Sequence, residues 1–117
     1  MGGNPSDVLR YAEFGTAFNR FYWLTGPSGP RGGHAHKELT QVFVCLRKSV
    51  NIAFSNGLVT QKVTLSEGEA VLVRPGLWRV IDPLSEGALL GVLASEHYSE
   101  QDYIRDFEDF LNWSTKK

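Results

Sequence analysis

One cysteine and one methionine occur in 117 residues. Cys45 sits inside the apolar run Val42-Phe43-Val44-Cys45-Leu46, so neither an internal disulfide nor a cysteine-rich metal site can form, and its expected role is core packing. An excess of one charge is also missing: 12 Lys plus Arg face 13 Asp plus Glu, for a formal net charge of −1. The only basic run is Lys116-Lys117, which is no footprint for a phosphate backbone, and nucleic acid is excluded as a partner. No apolar stretch approaches the roughly 20 residues of a membrane span. Met1-Gly2-Gly3-Asn4-Pro5 lacks the charged and apolar regions of a secretory signal, so a cytoplasmic protein without membrane contact is expected. Repeats, low-complexity segments and long linkers are absent as well, which leaves a single domain over 1–117 with one core.

What is present is a series of short apolar runs separated by turn residues, the pattern of an all-β sandwich or barrel. The runs are Phe18 to Leu24, Thr40 to Leu46, Ser49 to Phe54, Leu58 to Leu65, Ala70 to Arg74, Leu77 to Ile81 and Ala88 to Ala94. Asn56-Gly57 predicts a two-residue hairpin turn, with Ser55 opposite Leu58, Phe54 facing Val59, Val50 facing Val63, and Asn51 sharing the other face with Lys62. Near the end the period changes. Ile104, Phe107, Phe110 and Leu111 recur at helical spacing behind a capping pair Ser99 and Asp102, which predicts one amphipathic helix over 99–112. Residues 1–15 are expected to form a loose arm or an edge strand. Open sheet edges are commonly covered by a second copy, so a homodimer is expected. Asn112-Trp113-Ser114 matches a glycosylation acceptor and, with no secretory signal expected, carries no weight.

The densest cluster of chemistry-bearing residues is Pro30-Arg31-Gly32-Gly33-His34-Ala35-His36-Lys37, with Gln41 following at the start of an apolar strand. Side chains at i and i+2 share a strand face, so the two imidazoles stand side by side, about 7 Å apart along the strand. The plainer alternative is an exposed, idle pair beside a loop. A His-x-His, a polar residue soon after, and a second Gly…Pro-Gly segment at Gly68 to Arg79 resemble the two motifs of the cupin family, which implies a cupin-type β-barrel or jelly roll with one C-terminal helix. Metal-dependent cupins place a Glu and a third His where this chain has Gln41 and Arg79. An amide and a guanidinium do not replace those ligands, so neither metal nor other cofactor is expected. His97 is too distant in sequence to be assigned as a substitute.

Within the cupins the chain resembles the dTDP-sugar 3,4-ketoisomerases. The resemblance rests on Arg20-Phe21-Tyr22-Trp23, the Arg31 to Lys37 run, Gln41 to Leu46, Leu93-Ala94-Ser95 and Asp102-Tyr103-Ile104-Arg105-Asp106, and it extends from about Phe18 to Trp113. Members usually begin with a longer N-terminal segment that helps build the dimer, most of which is missing here. Many also have a His directly after the Trp of the second segment, where this chain has Trp78-Arg79.

The resemblance implies conversion of a dTDP-4-keto-6-deoxy sugar to its 3-keto isomer through an enediol, with Tyr22 and His34 catalytic and His36 orienting or polarising the substrate. Neutral imidazole suits removal of the carbon-3 proton, and a phenol can carry a proton between the two oxygens. Arg31 and Arg79 are candidate clamps for diphosphate or sugar oxygens, with surface salt bridges as the alternative for each, and Gln41 is a further candidate for substrate binding. Trp23 and Trp78 are candidate stacking platforms, or core; Tyr22 could equally be strand packing. Two other readings stay open: a module that binds a nucleotide sugar or another small ligand without turnover, and a metal-dependent cupin enzyme.

Overall fold

The computed structural model of the chain describes residues 8–9, 18–29 and 31–115. Among the described residues, ten strands form two antiparallel five-stranded sheets. One sheet runs in the order β1 (Val8–Leu9), β7 (Ala70–Val73), β4 (Gln41–Arg47), β9 (Leu89–Ala94), β2 (Arg20–Thr25). The other runs β10 (Tyr103–Ile104), β3 (Arg31–His36), β8 (Trp78–Ile81), β5 (Ser49–Ser55), β6 (Thr60–Ser66). This is the all-β, cupin-like architecture expected, with one helix, α1 (Phe107–Thr115), near the end. Of the arm expected over 1–15, only Val8 and Leu9 are among the described residues, and they pair with β7 at the sheet edge.

Period-two alternation decides what faces the interior. On β5, Val50, Ile52 and Phe54 turn inward against Leu65 and Val63 of β6, and they join Phe43, Cys45, Leu90 and Val92 in one apolar core between the sheets. Cys45 is buried in that core. On β2, Arg20, Tyr22 and Leu24 are partly buried while Phe21, Trp23 and Thr25 are exposed. On β8 the same alternation buries Arg79 and leaves Trp78 on the opposite face, where its ring packs 5.2 Å from Phe107 and 5.6 Å from Phe110 of α1.

Two expectations are corrected. The β5–β6 register is shifted by two residues: Ser55 pairs with Thr60, Phe54 with Gln61, Val50 with Leu65 and Asn51 with Thr64. The turn is wider because Asn56 Oδ1 accepts from the backbone N–H groups of both Leu58 and Val59, at 2.9 Å each, while Gly57 adopts φ of 98°. An even shift keeps every side chain on its expected face, so the core is unaffected. The helix does not span 99–112. Glu100–Asp102 is a single 3-10 turn, Ser99 makes no side-chain cap bond, and Tyr103 and Ile104 pair with His36 and Ala35 as β10 before α1 begins at Phe107. Pairing to the edge of β3 satisfies backbone groups that a helix would otherwise hold, and Ile104 still packs with Ala35 and Phe110.

Gly33 is required where β3 passes under Trp78. A Cβ on it would lie 2.3 Å from the indole Cζ2.

Candidate active site

Two cavities open beside the histidine strand. One of about 430 Å³ is lined by Tyr22, Leu24, His34, Phe43, Ile81 and Tyr103, among others. Its neighbour, about 470 Å³, is lined by Arg20, His36, Tyr98, Asp102 and Tyr103, among others. Tyr103 belongs to both, with its ring 5.3 Å from His34 and 4.4 Å from His36. The two imidazoles meet edge to face at 5.1 Å. They are therefore side by side, one presented to each cavity.

His36 is 1% exposed, and its Nδ1 lies 2.9 Å from Asp102 Oδ2. The other carboxylate oxygen of Asp102 accepts from the backbone N–H of Glu38 at 2.7 Å. Burial, then the Arg79 charge and His34, push the His36 imidazole down to about 3, against the opposing pull of Asp102. The ring is therefore neutral near pH 7, with its proton on Nδ1 facing the carboxylate and a lone pair on Nε2. On unfolding the same imidazole ionises near 6.5, so the unfolded chain binds the extra proton between about pH 6.5 and 3. Stability contributed by this group is intact above that window and is lost as pH falls through it. From pH 7 to pH 5 the loss is roughly 2 kcal/mol. Urea titrations at the two pH values should show this component in the wild type and not in His36→Gln; equal pH dependence of the two would refute a neutral His36.

Arg79 is completely buried. Its Nε and Nη2 donate to the Leu77 carbonyl at 3.1 and 3.0 Å, and its Nη1 donates to Gln41 Oε1. Burial lowers its pKa to about 10, which leaves it charged at neutral pH. By taking the amide oxygen of Gln41, Arg79 fixes which way that amide points, and Gln41 Nε2 then donates to the Tyr22 hydroxyl oxygen at 3.4 Å. Burial and the neighbouring Tyr103 raise the Tyr22 pKa, so the phenol keeps its proton. With its oxygen already accepting from Gln41, Tyr22 has its own O–H to donate into the 430 Å³ cavity.

Thus Tyr22 and His34 come together in one cavity, His36 stands beside them, and Gln41 lies behind Tyr22. Arg79 lines neither cavity; it is an internal anchor for Gln41 and not a clamp exposed to a ligand. Trp78 lies on the helix side of its sheet and Trp23 is 60% exposed on the outer face of the other, so neither is a platform in these cavities. The Arg31 backbone pairs with Ile81, and the position of its side chain lies outside the description. Sequence reasoning missed Arg20, Tyr98 and Asp102-Tyr103 as lining residues. The run Asp102 to Arg105 was visible as a family segment, but its helical period placed it on α1 instead of against β3.

The family model described as "FdtA: WxcM-like, C-terminal" matches residues 7–115. The chain belongs to this FdtA-like family. The match spans β1 to α1 and so includes every residue that lines either cavity. The chain is 37% identical over 103 residues to the TDP-4-oxo-6-deoxy-alpha-D-glucose-3,4-oxoisomerase of Aneurinibacillus thermoaerophilus, covering 86% of this chain and 74% of that one. A 3,4-ketoisomerase from Helicobacter canadensis superposes with a TM-score of 0.81 at 35% identity, over 87% of this chain and 79% of that one. The sugar 3,4-ketoisomerase QdtA of Thermoanaerobacterium thermosaccharolyticum, solved in complex with TDP, gives 0.80 at 34%, over 85% and 74%.

Proposed function

We propose that this chain isomerises a TDP-4-keto-6-deoxy sugar to its 3-keto isomer in deoxysugar biosynthesis. The observation that carries the reading is the meeting of Tyr22 and His34 in one cavity, with the Tyr22 hydroxyl oriented by Gln41. The names of the two isomerases it resembles supply the substrate class. His34 removes the carbon-3 proton, and the electron pair moves toward carbon 4 as Tyr22 gives its proton to the carbon-4 oxygen, forming an enediol. Tyr22 then takes the carbon-3 hydroxyl proton while protonated His34 returns a proton to carbon 4. The ketone has moved and both side chains are restored. No step in this scheme calls on a metal, and among the described residues no three His, Cys, Asp or Glu side chains cluster as ligands. NMR of TDP-4-keto-6-deoxyglucose incubated with enzyme should show the 3-keto product at the same rate with and without EDTA. Loss of the activity in EDTA would refute the metal-free scheme.

The protein is further proposed to be a cytoplasmic homodimer. No helix among the described residues is long and apolar enough to cross a membrane. Phe21 and Trp23, 50% and 60% exposed, pair their rings at 5.9 Å on β2, which is an edge strand of its sheet among the described residues. Half-exposed Leu46 adds to the same face, where it and Phe21 lie over Gly91. A second copy would cover both the apolar face and the open edge. Light scattering should give twice 13.1 kDa for the wild type and a monomer for Trp23→Lys; a monomeric wild type would contradict the dimer.

A further inference from the structure

Strand β3 does not run evenly past its neighbour. Arg31 pairs with Ile81 of β8 and His34 with Arg79, so between these pairs β3 advances three residues, 31 to 34, while β8 advances two, 81 to 79. The extra residue is a β-bulge at Gly32-Gly33. In an unbroken ladder His34 would stand opposite Trp78, and paired residues share a sheet face, so its imidazole would turn toward α1. The bulge sets it opposite Arg79 instead. The Arg79 side chain is directed inside, and His34 with it, so that His34 lines the 430 Å³ cavity beside Tyr22. One inserted residue decides where the imidazole points.

Two glycines do not hold such a kink by themselves, because neither has a side chain to pack and both change backbone state readily. What holds it lies on the far face of the sheet. The indole of Trp78 lies against Gly33, where a Cβ would overlap Cζ2 and come within 2.8 Å of Cε2. Gly33 also lines the 430 Å³ cavity, so a single residue of backbone separates the indole from that cavity. Behind the indole stand Phe107 and Phe110 of α1, their rings 5.9 Å apart, and Phe110 is fully buried in one cluster with Ala35 of the same strand. Close-packed interiors transmit displacement, so the position of the indole is passed on to the bulge.

We propose that Trp78 is a positioning residue for His34: clamped between α1 and Gly33, its indole holds the bulge that turns the imidazole into the cavity with Tyr22. The proposal rests on the ketoisomerase reading and adds to it a residue that lines neither cavity and works from the opposite face of the sheet. It also gives α1 a part in the reaction, as the backing of the clamp. His36 is fixed separately, by Asp102, so loss of the indole acts on His34 first.

Steady-state kinetics with TDP-4-keto-6-deoxyglucose and NMR of the histidine rings test it. Trp78→Leu empties the space over Gly33, and kcat should fall about ten- to a hundredfold, the scale of a misplacement of about 1 Å, with KM within about twofold of wild type. Trp78→Phe keeps an aromatic ring there and should recover most of the loss. In a His34→Asn background Trp78→Leu should lower kcat no further, because the group it positions is gone. In spectra of Trp78→Leu the His34 ring signals should shift far more than those of His36. Phe107 is 41% exposed, so Phe107→Leu loosens the backing with little risk to folding and should show the same pattern to a smaller degree; it carries the test if Trp78→Leu does not melt cooperatively. Unchanged kcat in an active protein, losses that multiply in the His34→Asn background, or His34 signals that move no more than those of His36 would each overturn the proposal. A wild type without turnover would instead overturn the ketoisomerase reading beneath it, and the ring signals would still decide the clamp.

Discussion

His34→Asn should lower turnover of TDP-4-keto-6-deoxyglucose by about 100- to 10,000-fold, the range found when a general base is removed. Asparagine keeps a hydrogen-bonding group of similar reach and has no basic nitrogen. Its neighbours on the strand, Ala35 and His36, make buried contacts of their own with Phe110 and Asp102, which the replacement leaves in place. The loss should therefore appear in kcat, with KM and the melting temperature little changed. A variant retaining more than a tenth of wild-type kcat would show that His34 is not the base. The edge-to-face contact with His36 bears on this variant, because His34 is one of the groups that lower the His36 pKa.

The second large effect is expected at Tyr22. Tyr22→Phe removes the only proton carrier assigned to the two sugar oxygens, and net isomerisation should fall by about 100- to 1,000-fold. A substitution one residue removed tests the orientation and not merely the presence of the phenol. In Gln41→Glu a carboxylate replaces the amide, pairs with Arg79 and accepts from the Tyr22 hydroxyl instead of donating to it. The phenolic proton is then turned away from the cavity. Turnover should fall nearly as far as in Tyr22→Phe, although the new ion pair leaves the fold intact; assays in EDTA prevent an adventitious metal from confusing the result. Unchanged turnover in Gln41→Glu would separate Arg79 and Gln41 from the chemistry.

How legible this was in the sequence differs from element to element. Strands β4, β5 and β9 announce themselves as apolar runs because both sheets bury them in one core. Strand β3 does not: Arg-Gly-Gly-His-Ala-His buries Ala35 and His36 but has no apolar run, and only the histidine spacing reveals it. The hairpin dipeptide was recognised and its register was not, because a side-chain oxygen of Asn56 holds two N–H groups and widens the turn, a choice that local preference does not determine. At the site, His34 and His36 stand out by residue type and spacing, and Tyr22 by the resemblance to the ketoisomerases. Arg79 was read as a cation at the pocket wall, whereas period-two alternation on β8 drives it fully inside, where the Leu77 carbonyl and Gln41 satisfy it. The same alternation sends Trp78 outward to α1. Asp102 and Tyr103 were hidden by a helical period that belongs only to the residues after them: edge pairing to β3 is a long-range event, and no local pattern encodes it.

The claim at the centre is that the chain moves a ketone between carbons 4 and 3 by taking and returning a carbon-bound proton. Solvent-deuterium incorporation into TDP-4-keto-6-deoxyglucose reads that step directly, by mass spectrometry with NMR assignment of the labelled carbon. Wild-type protein should place deuterium at carbon 3 of recovered substrate and at carbon 4 of the 3-keto product, and His34→Asn should place it at neither. Wild-type protein that binds the nucleotide sugar yet leaves both carbons unlabelled would contradict the account and leave a binding module built on this fold.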